Sequence, residues 1–186
     1  MITITSLWLP ILLSAVFVWI ASAIIWTLLP YHKSDFKGLP DEEAARNALK
    51  PQDIKPGQYN IPNVKSRSEC KNPDVIKKFE EGPVGFLTIL PKGMPSMGKN
   101  MFISFIYYVI IGIFVAYITS RTVSPGTEYL AVFRVTGAVA FLAYGTAVVQ
   151  DSIWFGRPWS LTFKHLFDAL IYALLTAGSF SWLWAR

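Results

Sequence analysis

Five side chains toward the C-terminal end of the chain could act together. His165, Asp168, Tyr172, Thr176 and Ser179 recur every three or four residues, and at about 100° per residue in a helix this spacing gathers them on one face. In an apolar helix such a stripe turns toward protein or water, because a carboxylate at a central position costs about 2.5 to 3.5 kcal/mol in lipid. One chemistry it could serve is passage of protons or a solute, with His165 and Asp168 titrating and Tyr172, Thr176 and Ser179 relaying or lining. The other is helix packing, since small polar residues are common where membrane helices meet. Asp168 would lie about 9 Å from the start of such a helix, within reach of Lys164 one turn earlier or of interfacial water. Packing is the expectation.

Two more charged residues stand apart. Arg134 falls about two turns inside another apolar stretch, where Gly137, Ala138 and Gly145 leave room for close approach of a helix. Counting 1.5 Å per residue sets Arg134 and Asp168 roughly 15 Å apart in depth, so Arg134 is expected to snorkel outward or meet a partner. Asp151 and His165 share one end of their helices and are expected to hydrogen-bond across the short loop.

Constellations that carry a reaction are missing. There is no Gly-rich phosphate loop, no HExxH and no nucleophile elbow, so the chain is not expected to be an enzyme. With His165 as the one histidine assigned to the membrane, a bis-His haem within the chain is excluded. His165 remains a weak candidate ligand for a pigment or haem completed from elsewhere, and no metal or cofactor is expected. Cys70, the single cysteine, can form no internal disulfide and has no ligand partners nearby for zinc.

The elements that must position these residues are membrane helices. The chain has 186 residues, 53% hydrophobic and 16% charged, against about 25% charge in an ordinary soluble domain. The charges are gathered in one block and the apolar residues in runs of roughly 20, the length that crosses a hydrocarbon core. The net charge of +5 comes without a basic helix or aromatic-interleaved basic strand, which argues against nucleic acid. Uncharged or nearly uncharged stretches run over about 7–29, 100–120, 127–149 and 163–185. Continuous rather than alternating apolarity makes them helices, not barrel strands. The first is too long for a signal-peptide core and lacks a preceding basic residue, so it is expected to be retained.

The expected fold is therefore an all-α membrane protein of four transmembrane helices. Residues 1–30 form the first, 31–99 a long and partly structured loop, and 100–186 a three-helix region. Lys33, Lys37, Lys92 and Lys99 flank the loop, with Arg157 and Lys164 on the same side and only Arg121 and Arg186 opposite. The positive-inside rule then makes the loop cytoplasmic and both termini non-cytoplasmic. Trp154, Trp159, Trp182 and Trp184 would sit in the two interfacial belts.

Eight of the twelve prolines lie between Tyr31 and Lys99, which forbids a long helix there. Asn72-Pro73-Asp74 is a helix start and Gly82 its stop; a second short helix is expected over 41–49. Residues 59–64 read as extended. The apolar run 84–90 could be a strand, an interfacial segment or a partner contact.

The segments LPYHKSDFKGLPDEEA, GPVGFLTILPKG, YLAVFRVTGAVAFLAYG and FDALIYALLTAG resemble small bacterial four-helix membrane proteins. The resemblance covers most of the chain and implies a bacterial inner membrane, but carries no chemical motif and no site. The expected function is that of a non-catalytic accessory or assembly subunit of a larger membrane protein complex, with the lipid bilayer and other membrane subunits as partners. The alternative is a small oligomeric channel or proton or solute transporter using the stripe.

Overall fold

The computed structural model describes residues 2–184, so the expected span end at Ala185 and the basic Arg186 lie outside the described residues. The chain is predominantly helical, with 68% helix and 5% strand. It divides into two units, residues 1–35 with 95–186 and residues 36–94.

The first unit is built on α1 (Trp8–Thr27), α4 (Met97–Thr122), α5 (Tyr129–Gly145), a short α6 (Val148–Trp154) and α7 (Trp159–Trp182). The four long helices form a closed bundle in which α1 and α5 each pack on both α4 and α7. Three segments are long and apolar enough to cross a membrane: Ile4–Thr27, Met97–Thr122 and Tyr129–Trp154. This accords with an integral membrane protein. With 24 residues, α7 has the length but carries Lys164, His165, Asp168 and several hydroxyl residues, and it is not among the three. It also begins at Trp159, a full turn before the expected start. The third stretch breaks between Gly145 and Val148 instead of running unbroken to Val149.

Small residues set how closely these helices meet. A methyl group added at Gly145 would lie 3.0 Å from Ala169 Cβ, and one at Gly137 would lie 3.3 Å from Ala177 Cβ, both across the α5–α7 contact. Gly112 brings α4 equally close to Ile11 of α1, at 3.2 Å. Ala138, expected to serve the same purpose, faces outward and is exposed.

Tryptophans crowd the bundle ends. Trp8 and Trp182 are exposed at one end and Trp154 and Trp159 at the other. Trp184 departs from the expected belt: it is buried, and its indole N–H donates to Ser124 O at 3.0 Å, tying the end of α7 to the turn after α4.

The second unit contains α2 (Glu42–Leu49), α3 (Pro73–Glu81), β1 (Gly57–Ile61) and β2 (Gly85–Ile89). Asp41 caps α2 by accepting from Ala44 N at 2.8 Å, and Asn72 caps α3 by accepting from Asp74 N at 2.9 Å. Gly82 ends α3 with a positive φ of 65°, a conformation that glycine adopts without strain. The strands pair antiparallel, from Gly57 opposite Ile89 to Ile61 opposite Gly85, so the apolar run 84–90 is a strand. None of the described residues 36–94 is buried.

Candidate functional site

The end of α1 and the start of α7 lie together, and the chain between Trp26 and Asp35 folds back over α7. Pro30 opens a single 3-10 turn, Pro30–His32, its fixed φ suiting the first position. That turn aims His32 into the bundle, where it is buried.

His32 holds a carboxylate on each ring nitrogen. Nδ1 is 2.6 Å from Asp35 Oδ2, and Nε2 is 2.9 Å from Asp168 Oδ2. The three side chains retain only 3%, 1% and 4% of their accessible surface, for His32, Asp35 and Asp168 in turn. The imidazole bridges the two carboxyl groups, one through each ring nitrogen. Asp35 gives its other oxygen to Lys164 Nζ at 2.5 Å, and the same ammonium donates to Ser34 Oγ at 3.0 Å and to the Tyr31 carbonyl. Asp168 gives its other oxygen to the Tyr31 hydroxyl. Every oxygen of the two carboxyl groups thus has a polar partner. A buried charge set of this kind is tolerable only when fully paired.

The aromatic surroundings complete the enclosure. The Trp26 indole stacks on the His32 ring with centroids 3.9 Å apart and planes 8° from parallel, covering one face of the ring. Burial by itself would raise the Asp35 carboxyl, but the hydrogen bonds and charges of His32 and Lys164 outweigh it and hold the group below the usual carboxylate range. Burial, together with the bond to Asp168, pushes the Tyr31 phenol up, so it stays a donor.

A second, more open set adjoins the first. Arg157 Nη2 lies 2.6 Å from His165 Nε2, and Arg157 Nη1 lies 3.4 Å from Asp151 Oδ2. A guanidinium can only donate, so His165 accepts through Nε2, carries its proton on Nδ1 and is neutral. The rings of His165 and His32 are 5.7 Å apart at 73°. The expected bond between Asp151 and His165 is therefore replaced by a bridge through Arg157, because the backbone turn that joins Arg157 N to Asp151 O brings a stronger donor between them. Lys164, expected one turn from Asp168, serves Asp35 instead, since Tyr31 and His32 already take the Asp168 oxygens.

Farther along α7 the stripe faces inward: Tyr172, Thr176 and Ser179 are all buried. Thr176 donates to Tyr172 O at 2.9 Å and Ser179 to Leu175 O at 2.8 Å, so both hydroxyls serve their own helix. The Tyr172 hydroxyl is buried and has the Trp26 side chain as its polar neighbour without a close hydrogen bond among the described residues, and its ring packs with Tyr108 and Tyr144. Arg134 is exposed on α5 and, among the described residues, has no hydrogen bond or ion pair. It is not paired with Asp168.

Sequence reasoning found Asp168 and His165 but passed over Tyr31, His32 and Asp35, which it counted as the start of a polar loop. A signal was present: Pro-Tyr-His directly after an apolar run, with a carboxyl group in another helix left between Lys164 and interfacial water. Compared with known proteins, the chain matches no family model, no curated protein and no solved structure.

Proposed function

We propose that this chain is a non-catalytic accessory or assembly subunit of a larger membrane protein complex, with α7 crossing the bilayer as a fourth span. The observation that carries the reading is the second unit. It has two capped helices and paired strands, yet none of its residues is buried, while Phe36 and Met94 are 84% and 98% exposed and Leu39, Val84 and Leu90 are exposed as well. A piece that orders its backbone without a core of its own needs another surface to cover its apolar side chains. Arg134, outward on a membrane-length helix, adds to this, because a guanidinium at that depth calls for acceptors on a neighbour or at the lipid headgroups.

The basic residues support a cytoplasmic loop 31–99 with both termini on the other side, in a bacterial inner membrane. Mild-detergent purification of the native protein, followed by identification of whatever copurifies, tests the proposal. A stoichiometric larger complex is expected; a homo-oligomer alone would overturn it.

The channel or transporter reading draws on the Tyr172 hydroxyl, which lies one turn beyond Asp168 where a relay group would stand. Against it, the hydroxyls of Thr176 and Ser179 donate to their own helix, and Asp168 is already engaged by His32 and Tyr31. Proton flux into liposomes holding the purified protein separates the two: none above empty liposomes is expected, and flux abolished by Asp168→Asn would favour transport.

A further inference from the structure

We propose that the polar centre binds one divalent transition-metal ion through His32 Nδ1, the Asp35 carboxylate and His165, with Asp168 supporting His32 from behind. This is independent of whether the chain works as a subunit. Both of the chain's two histidines converge here from opposite ends of the sequence. Ligand atoms of His32, Asp35 and His165 lie within 4.8 Å of one another. An ion with bonds of about 2.1 Å to nitrogen and oxygen holds tetrahedral ligands about 3.4 Å apart, so small rotations of these side chains close the set.

The outer contacts favour the same arrangement. A metal-bound histidine ordinarily donates its second N–H to a carboxylate, which fixes the ring and raises its basicity. Asp168 Oδ2 is already 2.9 Å from His32 Nε2, and Asp168 is itself held by the Tyr31 hydroxyl. Lys164 holds the Asp35 oxygen that does not face His32. The ion would take the place of the proton shared between His32 Nδ1 and Asp35 Oδ2. Two imidazoles and one carboxylate suit zinc, iron(II) or cobalt(II) and leave a fourth position open.

Arg157 is the built-in competitor. If His165 ligates through Nε2, the lone pair that Arg157 now occupies is needed. If it ligates through Nδ1, the ring proton moves to Nε2 and the guanidinium meets a donor. In either case Arg157 must withdraw toward Asp151, its other partner at 3.4 Å. The site thus makes opposite demands on two neighbouring residues: loss of His165 weakens the metal, and loss of Arg157 strengthens it.

The test uses full-length, tag-free protein in mild detergent, stripped with a chelator and titrated with Co²⁺ while visible absorption is followed. One Co²⁺ per chain is expected, with ligand-field bands that Zn²⁺ displaces. His165→Ala should weaken binding about tenfold or more, and Arg157→Gln should tighten it several-fold. Both substitutions are at the half-buried rim, and size-exclusion profiles matching wild type establish that the fold is kept. Absence of stoichiometric Co²⁺ binding to the wild type at millimolar metal, or equal affinity in wild type and His165→Ala, would overturn the assignment.

Discussion

Asp168 and Arg134 are both titratable side chains set in long helices of one bundle, and they have opposite surroundings. Asp168 is 2% exposed and accepts from His32 and Tyr31; Arg134 is exposed and has no polar partner among the described residues. A charge whose partners come from the same chain contributes to that chain's own stability. A charge aimed outward contributes little to it and gains meaning only from a neighbour or from lipid headgroups. The same contrast separates the two units: the bundle buries its polar centre, whereas residues 36–94 bury nothing.

The largest effect is expected on the inner side. Asp168→Leu leaves His32 with a single carboxyl partner and strands the Tyr31 hydroxyl, and breaking a buried pair in this way costs about 3–5 kcal/mol. Thermal unfolding in mild detergent should show a large drop in Tm. Asp168→Asn keeps an acceptor but loses the charge, so its cost should be smaller, about 1–3 kcal/mol.

Close packing comes next. Gly145→Val forces a branched side chain against Ala169 and Leu166, where even a Cβ is at 3.0 and 3.2 Å. Overpacking of this kind costs about 1–3 kcal/mol, and the same unfolding measurement reads it. An unchanged Tm would mean that α5 and α7 are farther apart than described.

Tyr172→Phe removes a buried hydroxyl that makes no close hydrogen bond and has only the Trp26 side chain as polar neighbour, so stability should hold or rise by up to about 1 kcal/mol. A clear loss would reveal that the hydroxyl is bonded after all and would revive a polar route along α7.

Arg134→Leu should be the mildest for the isolated protein, within about 0.5 kcal/mol, while weakening recovery of a copurifying partner. If both stability and copurification stay unchanged, Arg134 is only an anchor at the membrane surface.

How much of this was legible in the sequence follows from the range of each signal. Three of the long apolar runs and the α3 caps depend on neighbours within a few residues and are legible in the sequence, and Tyr172, Thr176 and Ser179 face inward as the spacing suggests; the fourth run is not among the membrane-length apolar helices. The His32–Asp168 contact joins residues more than a hundred positions apart, and no local pattern tells that His32 turns inward while Lys33 and Ser34 stay exposed. The sequence left Asp168 between Lys164 and interfacial water, because proximity along a helix is visible there and competition from Asp35 for Lys164 is not. The split between α5 and α6 and the outward turn of Ala138 are settled by packing, which composition does not report.

The account stands most directly on the coupling between His32 and Asp168. A double-mutant cycle of His32→Gln and Asp168→Asn, measured by unfolding in detergent with chelator present so that no metal contributes, isolates that pair. A coupling energy of about 1.5 kcal/mol or more is expected for a buried, charge-assisted bond; additive effects of the two substitutions would contradict the closed charge network on which this description of the bundle rests.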